Sequence, residues 1–534
     1  IITNRSCLAP FSLLLPRQMP PIEAFIEQPF AVMTDALRLH AEDAPERVAL
    51  ILDDRRLRYG ELDALVDRAA AALQRDGCGK GDVVAICAAT SIEYLVAYLG
   101  AVRAGLAVAP MSPSLKPETL AAMLKDAEAR LLFLDASTEA LVAGGTRAAR
   151  IALDGSGCGQ PFEAWLAPAG SGPAPVDIGP DDAFNIIYSS GTTGTPKGIV
   201  QPHSMRWMHS KRGPFYGYTK DSVGILSTPL YSNTTLVHTF PALTMGGALV
   251  LMKKFDVVRF FELVQAHRVT HAILVPVQYQ RIMDHPDFDR YDLSSLVNRF
   301  STSAPFPPEL KAEVLRRWPG KLVDTYGMTE GGGACMLHAH EFPDKLHTVG
   351  RPANGHTILL IDEQGREVPP GETGEIVGHS PGIMTGYRNQ PGLTAEAEWI
   401  APDGRRFIRT GDIGRFDEDG FLVLMGRRKD MIISGGFNIY PVDLEAELRQ
   451  HPDVADCAVF GVSSREWGET PVAFVVSRSG GQAVTADALR AWVNERLGRM
   501  QRIADLRFVD MLPRSSIGKV LKRELREAYE RAHS

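Results

Sequence analysis

Residues 188–198 read Tyr-Ser-Ser-Gly-Thr-Thr-Gly-Thr-Pro-Lys-Gly, a run in which nearly every side chain suits an anion. Gly191 and Gly194 let the main chain approach phosphate oxygens closely. Ser189, Ser190, Thr192, Thr193 and Thr195 add hydroxyls and successive N–H groups, and Lys197, stiffened by Pro196, adds a point charge. An apolar run at 183–187 that reads as a strand precedes the loop, and Gly198-Ile-Val follows the lysine. Strand, glycine-rich loop and lysine in that order suit nucleotide phosphates. The usual P-loop is excluded, because no Gly-x4-Gly-Lys-Ser/Thr spacing exists and Pro196 stands where that loop opens its helix. A flexible linker of the same composition is the plain alternative.

Three further clusters have matching chemistry. Residues 324–330 read Asp-Thr-Tyr-Gly-Met-Thr-Glu. Glu330 behind Thr329 suits Mg²⁺, a hard cation that takes carboxylate and hydroxyl oxygens while bridging phosphates. Tyr326 offers a face for a purine, and the Asp324 carboxylate can accept from an exocyclic amine. In Arg409-Thr-Gly-Asp412 a carboxylate can accept from both hydroxyls of a ribose, with Arg427 in support, although an isolated Thr-Gly-Asp is usually a turn. Residues 512–519, Leu-Pro-Arg-Ser-Ser-Ile-Gly-Lys, place Lys519 in a basic C-terminal tail, where a solvated lysine is the bland reading.

The elements that must position these residues follow from periodicity. Buried-strand runs at 48–52, 83–87, 106–110, 129–134, 183–188, 224–229, 248–252 and 271–275 alternate with helical patterns at 31–41, 59–76, 93–104, 118–127, 236–245 and 257–267. Such alternation predicts parallel sheets with helices on both faces. From about 349 short strands, glycine and proline dominate, which predicts a β-rich subdomain. Residues 431–534 read as a compact α+β unit with helices at 441–450 and 486–497 and strands at 454–462 and 471–476. The expected fold is therefore α/β: a large N-terminal domain of parallel-rich sheets flanked by helices plus a β-rich subdomain (21–426), a boundary at 427–430, and a small α+β C-terminal domain (431–534). Residues 1–20 read as a peripheral extension, with Met19 as the natural start.

At 534 residues the chain is long enough for several cores. Its 45% apolar and 23% charged residues are those of an ordinary globular protein, and the net charge of −7 argues against a nucleic-acid surface. No apolar run is long enough to span a membrane. The six cysteines form no CxxC pair, so the expectation is reduced thiols in a cytoplasm. His338, His340 and His347 lie close in sequence but fit no usual zinc spacing, and surface histidines are expected.

The four motifs, in this order and spacing across about 30–530, closely resemble those of the adenylate-forming superfamily. That superfamily includes acyl- and aryl-CoA synthetases, nonribosomal adenylation domains and firefly luciferase. The resemblance implies that residues 189–195 and Lys197 handle ATP phosphates, that Thr329 contacts phosphate and that Glu330 binds Mg²⁺. It further implies that Ser303, Ala304 and Pro305 with Asp324, Thr325 and Tyr326 enclose adenine, that Asp412 and Arg427 hold ribose, and that Lys519 reaches the junction of carboxylate and α-phosphate. The implied reaction joins a carboxylic acid to AMP with loss of pyrophosphate.

The resemblance also implies a thiol acceptor, CoA. Lys429 aligns with the hinge of a rotating C-terminal domain, and Gly435 and Gly436 align with the segment lining a pantetheine tunnel. Trp467 matches a tryptophan that stacks on CoA adenine in some aryl-CoA ligases; a core or interface tryptophan is an equal alternative. The family's usual histidine is replaced by Ser232 in Thr228-Pro-Leu-Tyr-Ser-Asn-Thr234. Its Tyr-Lys-x-Pro is absent, with Met-Gln-Arg-Ile at 500–503. The acid pocket aligns to Tyr231, Ser232, Asn233, His238, Val277, Ser303, Gly327, Met328, Gly332, Gly333 and Ala334. It shows no cation for a second carboxylate, and the glycines at 331–333 predict room for a ring or a medium-sized apolar acid. Amide formation with an amine acceptor, transfer to a carrier-protein thiol, and a non-catalytic nucleotide-binding module remain as alternatives. The protein is expected to act as monomer or homodimer.

Overall fold

Val83–Cys87, Ala107–Pro110 and Leu131–Leu134 are buried along their whole length, as strands covered on both faces must be. In the computed structural model, which describes residues 21–532 except 143–144, 190–196, 319, 435–436, 479–483 and 516–517, these strands pair in parallel. They form the middle of an eight-stranded sheet. One edge continues in parallel through Ala149–Ala152 and Gln160–Pro161. The other continues through Ala183–Ser189 and then turns antiparallel, first with Lys197–Pro202 and finally with Gly386–Tyr387.

A second, nine-stranded sheet repeats the plan. Val48–Leu52, Ala248–Leu251, Val223–Leu226, His271–Leu274, Asn298–Thr302 and Lys321–Gly327 run parallel, while Arg55–Arg58, Ala334–His338 and Arg351–Pro352 close the edges antiparallel. The helices Met33–Asp43, Tyr59–Arg75, Ile92–Arg103 and Asn233–Thr244 lie in one apolar core with strands of both sheets. Ile92–Arg103 is buried all round, and Ser91 caps it by accepting from the Tyr94 N–H at 3.0 Å.

Residues 357–427 form the β-rich part: Thr357–Ile361, Gly374–His379, Arg406–Phe416, Glu398–Ile400 and Leu422–Arg427 in an antiparallel sheet. The C-terminal sheet of Phe437–Ile439, Ile432–Ser434, Gly468–Ser477, Val454–Ser464 and Asp505–Phe508 has apolar cores of its own, drawn from residues 432–529. The expected architecture is thus present, with element ends moved by one to three residues; the helix expected at 236–245, for example, runs Asn233–Thr244. The five described cysteines are buried and free. Among the described residues no helix is long and apolar enough to cross a membrane. The 1–20 segment lies outside the described residues.

Candidate active site

Asn298–Thr302 and Lys321–Gly327 are parallel neighbours, with Ser301 opposite Asp324 and Thr302 opposite Thr325. Their C-terminal ends therefore deliver the 303–305 loop and the 328–333 loop to one edge of the sheet, where open α/β sheets place their ligands. Ser303 holds a left-handed backbone (φ +80°), a conformation costing a non-glycine residue about 1–2 kcal/mol. Its hydroxyl is tied to Thr234 Oγ1 at 2.5 Å, which fixes the loop against the start of the Asn233–Thr244 helix.

Asp412 faces this edge from the β-rich part. Tyr326 donates its hydroxyl to Asp412 Oδ2 at 2.7 Å, and Arg427, directly opposite across the strand pair, forms an ion pair with Oδ1, Nε at 2.8 Å. Burial and the Asp412 charge push the Tyr326 phenol well above its usual range, so it stays a donor at all ordinary pH values. The carboxylate is thereby held by groups on two elements, with its orientation set before any ligand arrives.

Ser189 and Lys197 pair across the hairpin that brackets the glycine-rich loop. Lys197 Nζ lies 5.2 Å above the ring of Tyr387, and the Tyr387 hydroxyl donates to Glu330 Oε1 at 2.9 Å. The chain around Tyr387 is stapled to both partners. Met384 donates its N–H to the Glu330 carbonyl at 2.9 Å, and Arg388 donates its N–H to the Gly198 carbonyl at 2.7 Å. Tyr387 thus couples the lysine and the glutamate that sequence reasoning treated separately.

Lys519 enters from the C-terminal unit. Arg514 clips its loop by donating to the Gly518 carbonyl at 2.6 Å and by pairing with Asp456, while Lys519 donates its N–H to Ser515 Oγ at 3.1 Å. A Cβ built on Gly518 would lie 3.1 Å from Val277 Cγ1, so the loop closes directly on Val277 of the N-terminal part. Lys519 is itself solvent-exposed, yet the protein around it and then Arg427 lower its pKa, while Asp412 and Glu330 act in the opposite direction. Lys519 thus lies within electrostatic reach of Arg427, Asp412 and Glu330, charges from distant parts of the chain. Lys429, in the short turn Arg428–Asp430, is also lowered, mainly by burial, and feels Asp412 as well.

Several expected site residues are placed elsewhere. His238 is only 2% exposed, bonded through Nδ1 to the Tyr218 hydroxyl and set against Gly224, and burial drops its pKa to about 3. Its ring is committed to this core contact with Tyr218. Asp324 is 5% exposed and paired at 2.8 Å with Lys311, whose Nζ also donates to the Leu346 and Thr348 carbonyls. This carboxylate is committed to the interior, and an exocyclic amine cannot rely on it.

The glycines at 331–333 do not leave space. A Cβ on Gly331 would fall 2.0 Å from the Gly382 carbonyl oxygen, on Gly332 2.6 Å from Ile408 Cβ, and on Gly333 2.6 Å from Ile358 Cδ1. They are small so that the β-rich part can pack onto the loop.

Tyr231, Asn233, Val277 and Met328 stay partly exposed, Ser232 is buried, and Gly327 is exposed. Behind them lie two residues without a sequence signal. Gln201 donates Nε2 to the Thr329 carbonyl at 2.6 Å, and Arg206 donates to Asn233 Oδ1 at 2.7 Å.

Trp467 is half-buried at the Val454–Ser464/Gly468–Ser477 hairpin, beside Gly468, which pairs with Ser434. It is therefore no core tryptophan. Ser190, Gly191, Thr192, Thr193, Gly194, Thr195, Gly435 and Gly436 lie outside the described residues. His338 and His340, both partly exposed, bring ligand atoms within 4.8 Å of each other and of the exposed Glu341, and His347 is not among them.

Residues 37–388 match the AMP-binding enzyme family and residues 443–519 match its C-terminal domain family. The chain is 34% identical over 495 residues to a feruloyl-CoA synthase of an Amycolatopsis species, covering 92% of this chain and 97% of that protein. The structure of ATP-bound MatB from Rhodopseudomonas palustris superposes with a TM-score of 0.86 at 29% identity, covering 94% of this chain and all of the other. The amide bond synthetase McbA from Marinactinospora thermotolerans superposes with a TM-score of 0.83 at 28% identity, covering 93% and 99%.

Proposed function

The chain belongs to the AMP-binding enzyme family, whose members form acyl-adenylates, and from that premise we propose that it is an AMP-forming acid–CoA ligase acting on an aryl or medium-sized apolar acid. The observation that supports this reading is that Lys519, from a separate C-terminal core, lies within electrostatic reach of Asp412 and Glu330, with its loop closing on Val277 at Gly518. Nucleotide binding alone needs no second lysine from another unit, whereas bringing a carboxylate onto the α-phosphorus as pyrophosphate leaves gives a second cation a use.

The acid is ionised at neutral pH, so its oxygen attacks phosphorus without a general base. The protein's task is to bring two anions together and hold them. Lys519 offsets charge on the carboxylate and α-phosphate, Lys197 offsets charge on departing pyrophosphate, and Asp412 receives the ribose hydroxyls. The residues around Glu330 suit Mg²⁺: one carboxylate oxygen is held by Tyr387, and the other has no protein partner among the described residues. Bound there, Mg²⁺ supplies charge neutralisation of the phosphates. We place the N-terminal domain at 21–426, the hinge at 427–430 around Lys429 and the mobile domain at 431–534. After adenylation, rotation withdraws Lys519 and brings Gly435, Gly436 and Trp467 to a thiol entry path.

A second reading keeps adenylation and passes the acyl group to an amine. It is favoured by the likeness to McbA and by the departure at 500–503. Pyrophosphate release with a panel of acids, followed by mass spectrometry of products formed with CoA or with amino acids, separates the two. A thioester is expected; amides without a thioester would remove the CoA assignment.

A further inference from the structure

Arg206, in the helix His203–Ser210, is 0% exposed and forms no ion pair among the described residues. Its Nε donates to Asn185 Oδ1 at 3.2 Å, and its Nη2 donates to Gln201 Oε1 and to Asn233 Oδ1, the latter at 2.7 Å. Every acceptor is a neutral amide. Nη1 has no protein partner among the described residues, and the guanidinium lies beside the edge-to-face pair of Phe184 and Phe240, 6.0 and 5.8 Å from their ring centres. Burial lowers its pKa to about 10, which leaves it charged at neutral pH.

Removing a charge from water without a counter-charge is costly, and an apolar side chain of similar volume would serve the core better. The cation must therefore be judged by what it holds, and it holds two amides. Gln201, with Oε1 fixed by Arg206, donates Nε2 to the Thr329 carbonyl at 2.6 Å, one residue before Glu330. Asn233 stands two residues after Tyr231 at the start of the Asn233–Thr244 helix and is half-buried at the acid cleft.

Because arginine has only donors, the oxygen of Asn233 is the atom that must face it, which settles the orientation of the amide. Gln201 Nε2 approaches the same oxygen at 3.5 Å. The Asn233 Nδ2 group is consequently turned away from Arg206, and it has no protein partner among the described residues. A buried positive charge behind the amide oxygen also polarises the amide, which strengthens Nδ2 as a donor.

We propose that Arg206 is a positioning residue that presents the Asn233 N–H donors to the acid cleft, so that the enzyme selects acids bearing an oxygen acceptor against Asn233 over their hydrocarbon counterparts. The proposal rests on the reading that this cleft binds the acid. It narrows the substrate class from apolar acids in general to acids with a hydroxyl, methoxy, carbonyl or carboxylate oxygen on the body of the molecule. It also adds an oriented N–H donor to a pocket whose other polar groups are hydroxyls.

The test compares kcat/KM for pyrophosphate release on matched acids: cinnamate with its 3- and 4-hydroxy, methoxy and carboxy derivatives, and hexanoate with 6-hydroxyhexanoate and adipate. The wild type should favour at least one oxygenated acid over its parent by about tenfold or more, since an unfilled donor in the site penalises the parent. Asn233→Leu should bring that ratio close to one. Arg206→Met should do the same, and Arg206→Lys should restore part of it. The ratio is unmoved by a loss of folded enzyme, and Asn233→Leu gives the same readout if Arg206→Met fails to fold. A wild type with no preference for any oxygenated acid, or an Asn233→Leu variant that keeps the preference, would overturn the proposal while leaving adenylation intact. No pyrophosphate from any acid would instead remove the activity reading and this inference with it.

Discussion

Replacing Tyr387 by phenylalanine removes a single oxygen, the one that donates to Glu330 Oε1 at 2.9 Å, and leaves the ring beneath Lys197 Nζ at 5.2 Å. A hydrogen bond to an ionised acceptor contributes about 1.5–3 kcal/mol, and each ~1.4 kcal/mol is a factor of ten in rate. If Glu330 must be held in one orientation for phosphoryl chemistry, Tyr387→Phe should lower acid-dependent ATP–pyrophosphate exchange by roughly ten- to a hundredfold. The loss should be greatest at low Mg²⁺. Tyr387→Leu removes the ring as well, and with it a cation–π contact of about 0.5–1 kcal/mol, for a further two- to fivefold loss. Both variants would be assayed across a Mg²⁺ series, with thermal unfolding as a check on folding. A Tyr387→Phe enzyme within twofold of wild type at all Mg²⁺ concentrations, beside a crippled Tyr387→Leu, would refute the reasoning. The ring and its packing would then matter, and the bond to Glu330 would not.

Lys519→Ala should abolish adenylation but spare thioester formation from supplied acyl-adenylate, measured as separate half-reactions; equal loss of both would contradict the rotation of the C-terminal domain. Gly332→Ala puts a Cβ 2.6 Å from Ile408 Cβ and 3.1 Å from Met328 Sδ, and overpacking of this kind costs about 1–3 kcal/mol. An unchanged denaturation midpoint would mean that the glycine run faces open space after all. Burial holds His238 and His209 at about 3 and His203, His271 and His356 at about 4, below the ordinary value of 6.5. Below pH 6.5 the unfolded chain binds more protons than the native one. Stability is therefore complete above that pH and is lost as pH falls toward 4, by up to about 1.4 kcal/mol per pH unit for each such histidine. A thermal midpoint that stays flat from pH 6.5 to 4.5 would show that these rings are not kept neutral by the fold.

What could be read from the chain and what could not divide along physical lines. Lys197, Glu330, Asp412 and Lys519 could be singled out because each is a charge in a short motif whose neighbours admit few other uses, and their proposed roles rest on that. The alternation of buried strands and helices was legible because parallel strands covered on both faces are apolar throughout, as in Val83–Cys87. Tyr387, Gln201 and Arg206 were not, since their roles arise from contacts across 57, 128 and 27 residues, and nothing local marks them. The contacts of His238 and Asp324 were not legible because the facing of a side chain depends on helix phase and strand register. One turns its ring onto Tyr218, the other its carboxylate onto Lys311. The glycines at 331–333 were misread for a related reason. Smallness shows in a sequence, but what occupies the vacated volume, here Gly382, Ile408 and Ile358, does not.

The central claim is that the acid's own oxygen becomes bonded to the α-phosphorus of ATP. The most direct measurement uses an acid labelled with ¹⁸O in its carboxylate, chosen for the fastest pyrophosphate release, turned over with ATP and CoA. The account predicts AMP carrying one ¹⁸O atom, because the attacking oxygen stays with phosphorus when the acceptor displaces AMP from the acyl carbon. AMP without label, or ¹⁸O in inorganic phosphate beside ADP, would contradict it.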